Sequence, residues 1–185
     1  MRYILASSSP RRKELMKEIS SVFIVDAADV DESVDAKLSP EKAVRVIAKR
    51  KGEVIHHKYP HDIVIAADTI VVINNTIIGK PKDEKDAKRI LKLLSGKTHH
   101  VYTAYVIMLE DKIVENMADS TVKFNVLSDE LIENYIASKS PLDKAGAYGV
   151  QDNDEYPIID KIEGSIKNVI GFPVDEIKES LKEII

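Results

Sequence analysis

Short apolar runs alternate along this chain with stretches that carry helix signals. Arg2 to Ala6 reads as a buried strand. It leads into Ser9-Pro10, where a serine cap and a proline at the first helical position open a helix. Val22 to Val25 predicts a second short strand. Ser39-Pro40-Glu41 repeats the helix-start pattern and predicts a long helix to about His57. Asp62 to Ala67 is an apolar run that predicts a central strand. Ile70 to Ile73 and Thr76 to Ile78 flank Asn74-Asn75, a hairpin turn. Asp83 caps a helix that stops at Ser95-Gly96. Val101 to Leu109 and Ile113 to Val126 predict two long strands joined near Glu110-Asp111-Lys112. Ser128 opens a further helix, Ser140 to Tyr156 reads as loop, and the last helix starts near Pro173. Hairpins mixed with strand–helix units predict an α/β (mixed α+β) fold around a mixed sheet. No repeat, low-complexity tract or linker interrupts residues 1–185, so one continuous domain is expected, with two lobes around one cleft.

Composition narrows the functional classes. With 44% hydrophobic and 31% charged residues, the chain is an ordinary globular one, long enough for a sizeable core. It has no cysteine, which excludes disulfides, zinc–thiolate sites and a thiol nucleophile. The net charge of −4 argues against a nucleic-acid binder, and any phosphate site has to be a local basic cluster. The N-terminal apolar run, Tyr3 to Ala6, is too short for a signal peptide or a membrane span. No later segment is long and apolar enough, so a cytoplasmic protein without a membrane partner is expected.

Five places carry residues suited to chemistry. Ser7-Ser8-Ser9-Pro10-Arg11-Arg12 joins a strand to a helix start, where free N–H groups, hydroxyls and guanidinium forks suit an anion. The same residues read equally as an N-cap with surface arginines. Lys51 falls inside the helical stripe of Val44, Ile47, Ala48 and Ile55, so it either snorkels out or reaches a polar cleft. Asp68-Thr69 follows the apolar run to Ala67. A carboxylate there can hold a hard divalent metal or activate water, or it is a turn aspartate. Gly79-Lys80-Pro81 offers a point charge for phosphate but is not a P-loop, and a solvated lysine is its plainer reading. In Asp143 to Gln151 the glycines suit close approach, and Gln151 can both donate to and accept from a base edge. Glu32, after the second strand, is either a second metal or water partner or part of an exposed acidic turn. His99-His100 is not read as a metal pair, because neighbours on a strand point to opposite faces.

Taken in order, these segments resemble the Maf family of nucleoside triphosphate pyrophosphatases nearly end to end. The resemblance rests on Leu5-Ala6-Ser7 with Ser9-Pro10-Arg11-Arg12, Asp31-Glu32-Ser33, Lys51 and Ala67-Asp68-Thr69. It continues through Gly79-Lys80-Pro81, Leu94 to His99, Asp143 to Gln151 and Asn168-Val169-Ile170-Gly171-Phe172-Pro173. It implies an elongated mixed sheet flanked by helices with a deep cleft, like that of the inosine triphosphatase group. It also implies cleavage between the α and β phosphates with Mg²⁺, or alternatively Mn²⁺. Asp68 matches the proton acceptor, while Ser9, Arg12, Glu32, Lys51 and Lys80 match the phosphate and metal site; Asp68 and Glu32 would hold the metal. Arg11, Thr69 and Gln151 match the branch that takes dTTP and UTP. The branch that takes 7-methyl-GTP typically has tryptophan where Arg11 stands, and this chain has none. The chain departs from relatives at Asp152 to Tyr156, where glycines are frequent, at Ile166, where an aromatic is common, and at Gly52, where alanine is common. A homodimer is common among relatives. Two other readings stand beside this one. They are a house-cleaning hydrolase of modified nucleotides and a nucleotide-binding regulator, since the family is linked by name to inhibition of septum formation.

Overall fold

Four of the helix starts read from the sequence carry the side-chain cap that predicts them. Ser9, Ser39, Asp83 and Ser128 each accept a hydrogen bond from the backbone N–H three residues on. The computed structural model describes residues 1–185. Its elements are β1 (Tyr3–Leu5), α1 (Pro10–Met16), β2 (Ile24–Val25), α2 (Pro40–Lys58), β3 (Ile63–Ile73), β4 (Thr76–Ile78) and α3 (Glu84–Leu94). They continue as β5 (Thr98–Leu109), β6 (Lys112–Phe124), α4 (Asp129–Ala137), β7 (Ile159–Glu163), α5 (Ile166–Ile170) and α6 (Val174–Leu181). The sheet has seven strands in the order β2-β1-β3-β5-β6-β7, with β4 paired to β3. It is mixed, as expected: β1 runs parallel to β2 and β3, while β3–β4 and β6–β7 are antiparallel. No helix is long and apolar enough to cross a membrane.

The chain divides into two compact units. One comprises Met1–Thr69, Tyr102–Ala118 and Lys167–Ile185, and the other Ile70–Val101 and Asp119–Ile166. In the first unit β1, β3 and β5 are buried on both faces, and their two-residue period sorts side chains between two cores. Leu5, Ile63, Ile65, Ala67, Tyr105 and Ile107 pack with Met16 of α1, Phe172, and Ile177 and Leu181 of α6. Ile4, Ala6, Val64, Ala66, Val106 and Met108 pack with Ile55 of α2. In the second unit, α3 buries Ala87, Ile90, Leu91 and Leu94, a helical stripe, and packs on α4. Lys88–Glu133 at 2.8 Å and Lys92–Asp129 at 3.0 Å bridge the same two helices.

Three features differ from the sequence reading. Asp62 to Ala67 and Ile70 to Ile73 are not separate strands, because β3 runs unbroken from Ile63 to Ile73 through Asp68-Thr69. Two polar residues can stay in a buried strand because each has partners there, described below. β7 and α5 lie where no element is expected from the pattern. Only Ile159 is buried in β7, and α5 has five residues, so neither leaves a periodic signal. The turns match better. Asn74 and Asn75 both have positive φ (48° and 58°), and Gly96 has φ 67° just past α3.

Gly52, mid-helix in α2, is required by packing. A Cβ there would lie 2.6 Å from Val106 Cγ1 and 3.3 Å from Met108 Cε. Helix propensity alone favours alanine by about 1 kcal/mol, but overpacking a core costs roughly 1–3 kcal/mol. Val106 is β-branched and fully buried, so it cannot swing aside. Gly52→Ala should therefore lose about 1–2 kcal/mol in urea unfolding, and Val106→Ala in that background should recover part of the loss. A Gly52→Ala protein more stable than the parent would refute this packing argument.

Candidate functional site

The end of β1 sets the position of the polar cluster in the first unit. β1 pairs with β3 only over Ile63–Ile65, and the last bond runs from Ala6 N–H to the Ile65 carbonyl. The chain then leaves the sheet as Ser7 to Ser9 and enters α1. Asp68 and Thr69 thus lie just beyond the carboxyl end of a parallel neighbour, where ligands meet α/β sheets.

Strand alternation sends these two residues to opposite faces. Asp68 follows Val64 and Ala66 toward α2. On α2, Lys51 lies one turn before Ile55, which packs on that same face. Lys51 Nζ donates to Asp68 Oδ1 at 2.7 Å and lies 2.7 Å from Glu32 Oε1. The Lys51 and Asp68 side chains are only 15% and 12% exposed, whereas Glu32 is open to solvent at 60%. Lys51 therefore reaches a polar partner and does not snorkel into bulk water. Burial pushes the Asp68 carboxyl above its ordinary value of 3.8. The Lys51 ammonium opposes that shift first, and Arg12 more weakly.

Glu32 sits in an irregular segment that α2 holds in place. Arg50 Nη1 donates to the carbonyls of Asp31 and Ser33, on either side of Glu32. Asp31 braces the same turn by accepting from Ser33 N–H and Oγ, each at 2.8 Å.

Thr69 faces α1 and α6, as Ile65 and Ala67 do. Its Oγ1 accepts from Arg12 Nη2 at 3.0 Å and meets Thr103 Oγ1 at 2.9 Å. Thr103 in turn donates to the Asn168 carbonyl at 3.1 Å. Arg12 also donates from Nε to the Gly171 carbonyl at 2.8 Å and from Nη1 to Ser7 Oγ at 3.3 Å. Three of its five N–H bonds are thus spent on fixing its plane, which leaves two for a ligand. Loss of solvent lowers the Arg12 pKa from its ordinary value, and Asp68 partly offsets this. Ser9 Oγ accepts from Arg12 N at 3.4 Å, and that bond leaves its own proton available to an anion. Arg11, beside it, is half-buried.

The remaining candidates belong to the second unit. Lys80 and Gln151 are both exposed. Their segments are tied together by the Gly146 N–H, which donates to the Gly79 carbonyl at 3.1 Å. His99 and His100 part as their strand requires. His99 is buried against Tyr148 and Phe124, with its pKa lowered to about 4 by burial, while His100 faces Asp119.

The first unit therefore gathers Ser9, Arg11, Arg12, Glu32, Lys51, Asp68 and Thr69, and the second carries Lys80 and Gln151. Sequence reasoning missed Thr103 and Arg50. Thr103 is a lone hydroxyl in the apolar run of β5, and such a break in pattern is its only signal. Arg50 acts through carbonyls, which leave no trace in side-chain spacing. No group of three or more histidine or carboxylate side chains is arranged to hold a metal ion. Asp68 and Glu32 nevertheless suit a hard divalent ion of the kind that takes one or two carboxylates and completes its shell with water and phosphate. Both already embrace a cation, the Lys51 ammonium.

Known proteins resemble this chain over nearly its whole length. The profile of the Maf-like protein family matches residues 2–184. The dTTP/UTP pyrophosphatase of Pyrococcus furiosus is 46% identical over 171 residues, covering 92% of this chain and 89% of that protein. The dTTP/UTP pyrophosphatase of Bacillus cytotoxicus is 41% identical over 182 residues, covering 98% and 95%. Among solved structures, a HAM1 protein from Coxiella burnetii aligns over 99% of both chains with a TM-score of 0.53 at 11% identity. The Staphylococcus aureus Ham1 protein aligns over 100% of both with a TM-score of 0.52 at 10% identity. These two share the open mixed-sheet fold. The full-length profile match and the relatives above 40% identity place this chain in the Maf-like protein family.

Proposed function

We propose that this protein is a nucleoside triphosphate pyrophosphatase that hydrolyses dTTP and UTP to the monophosphate and pyrophosphate. The observation that carries the reading is the Asp68 carboxylate, buried beside Lys51 and raised above its ordinary pKa. A pure anion-binding site gains little from an acid there unless a metal is bound, whereas hydrolysis needs a base. The close relatives named dTTP/UTP pyrophosphatases support the substrate class.

In the proposed reaction, a water attacks the α-phosphorus and gives up its proton to Asp68. The bond from the α-phosphorus to the bridging oxygen breaks, and pyrophosphate leaves. Desolvation makes Asp68 a stronger base than a free carboxylate, so it takes the proton more readily. Lys51, Arg12 and Lys80 would offset the charge that develops on the phosphate oxygens. Ser9 would donate its hydroxyl proton to one of them. Arg12, fixed at Nε by the Gly171 carbonyl, offers its remaining donors without reorganising. Magnesium, held by Asp68 and Glu32, would supply Lewis-acid stabilisation of the polyanion. Arg11, Thr69 and Gln151 are the proposed specificity residues, with Gln151 pairing to the O4 and N3–H edge that thymine and uracil share. The setting is cytoplasmic, where free nucleotides are the substrates.

Asp68→Asn should lower turnover about 10²- to 10⁴-fold while nucleotide binding by calorimetry persists. Near-normal turnover in that variant would remove Asp68 from the role of base. Pyrophosphate release across a panel of nucleotides with Mg²⁺ should be strongest with dTTP and UTP. Gln151→Ala should flatten that ranking, and an unchanged order would exclude Gln151 as the base reader. Release only from modified nucleotides would make this a house-cleaning enzyme. Tight binding without any release would make it a regulator.

The pH dependence follows from the same pair. A base whose pKa is raised stays protonated, hence idle, to higher pH than a free aspartate. The acid limb of kcat/KM should have its midpoint above 3.8. Because the Lys51 charge opposes the shift, Lys51→Met should move the residual activity's acid limb to still higher pH. A limb that moves down would show that the limb belongs to another group.

A further inference from the structure

The loop that carries Gln151 is tied at both ends to one hydroxyl. Tyr135, on α4, is fully buried, and its ring stacks at 4.9 Å on Tyr156. Its hydroxyl accepts the Gly149 N–H at 3.0 Å and donates to Asp152 Oδ2 at 2.7 Å. Gly149 and Asp152 bracket Val150 and Gln151, so a single phenol closes the segment. A phenol has one proton to give, and here it goes to Asp152. Burial, reinforced by the bond to Asp152, raises the Tyr135 pKa, so the proton stays on the oxygen.

Asp152 is anchored in its turn. The same Oδ2 accepts from Ser140 Oγ at 2.7 Å and lies 4.0 Å from the Lys144 ammonium. Lys144 is only 12% exposed and donates to the Ser140 carbonyl, Ser140 Oγ and Asp143 Oδ1. Its stem passes directly beneath Gly149. A Cβ on that glycine would lie 2.7 Å from Lys144 Cε and 3.2 Å from Gln151 Oε1. The floor of the loop is thus a connected network, and Gln151 is the exposed side chain above it.

We infer that Tyr135 and Asp152 are positioning residues for base recognition, clamping the 149–152 loop so that the Gln151 amide is held in one register. The inference rests on the proposed role of Gln151 in reading dTTP and UTP. Discriminating uracil from cytosine requires a fixed donor and acceptor, since a loose amide can turn to satisfy either base. The clamp acts on selectivity and leaves the phosphate chemistry of the first unit in place.

The test uses the full-length protein, with Tyr135→Phe, Asp152→Ala and Asp152→Asn. Tyr135→Phe keeps the ring and removes only the hydroxyl. It should cut the ratio of kcat/KM for UTP over CTP about tenfold, through a rise in the UTP KM, with kcat within about threefold. Asp152→Ala should behave alike. Asp152→Asn retains an acceptor oxygen for the Tyr135 proton and should recover most of the selectivity. Amide hydrogen exchange without nucleotide gives a second readout: Gly149 to Asn153 should exchange faster in Tyr135→Phe and Asp152→Ala than in the parent. Unchanged selectivity with unchanged exchange in a folded Tyr135→Phe would overturn the clamp. So would an equal loss of kcat for every nucleotide that merely tracks a lower Tm. If the parent itself shows no base preference, the dTTP/UTP reading fails separately, and the exchange comparison alone decides the clamp.

Discussion

An ammonium and a carboxylate buried together cannot be separated without leaving one charge unpaired in a nearly dry setting. Removing one member of such a pair costs about 3–5 kcal/mol, so the Lys51–Asp68 contact constrains everything around it. Three consecutive residues of α2 serve that contact. Arg50 holds the carbonyls on both sides of Glu32 and brings a second carboxylate to the ammonium. Lys51 makes the bridge. Gly52 lets the helix lie against Val106 with no Cβ between them, and this close approach places Lys51 within reach of β3. The helix is thereby a spacer whose packing distance and electrostatics are fixed over a single turn.

The strand contributes the complementary constraint. Because successive residues point to opposite faces, Asp68 and Thr69 belong to different layers although they are neighbours in sequence. Asp68 joins α2 and the charged chemistry. Thr69 joins Arg12, Thr103 and the carbonyls of Asn168 and Gly171, which form a neutral scaffold around one guanidinium. One rigid strand thus presents a charged partner to α2 and a neutral one to α1. The arrangement is open only because β1 ends at Leu5. Had β1 continued alongside β3, its backbone would cover the edge at Asp68.

Much of this was legible in the sequence, for reasons that differ by residue. Helix starts were legible because capping is local chemistry: a serine or aspartate before the first turn satisfies an N–H within three residues. Lys51 stood out because a charge inside an apolar helical stripe needs an explanation. The continuity of β3 was hidden because Asp68-Thr69 looks like a strand end when its partners are unknown. Those partners come from α1, α2, β5 and the segment after α5, at sequence separations that no local pattern reports. Thr103, Arg50 and Tyr135 were hidden for the same reason. Each acts by bonding to another functional residue or to backbone, so its type and spacing carry no signature of its own. Asp152 showed itself only as a departure from relatives, and its partners Tyr135, Ser140 and Lys144 give that departure a physical meaning.

The charge balance of the first unit bears on how the proposed substrate would be received. Lys51 and Arg12 face Asp68 and Glu32, so the cations that would greet a triphosphate are already neutralised by carboxylates. A bare polyanion gains little Coulomb energy from such a cluster, and it would be repelled by the exposed Glu32. A divalent cation accompanying the nucleotide would change that balance: Asp68 and Glu32 would hold it, and its charge would offset theirs and that of the phosphates. In that account Glu32, exposed and held by Lys51 and by the Arg50 bonds to its flanking carbonyls, is the carboxylate that would exchange partners. Asp68 is buried because its basicity has to be set in advance by desolvation. The two carboxylates on one lysine would then differ in role for the same reason that they differ in burial.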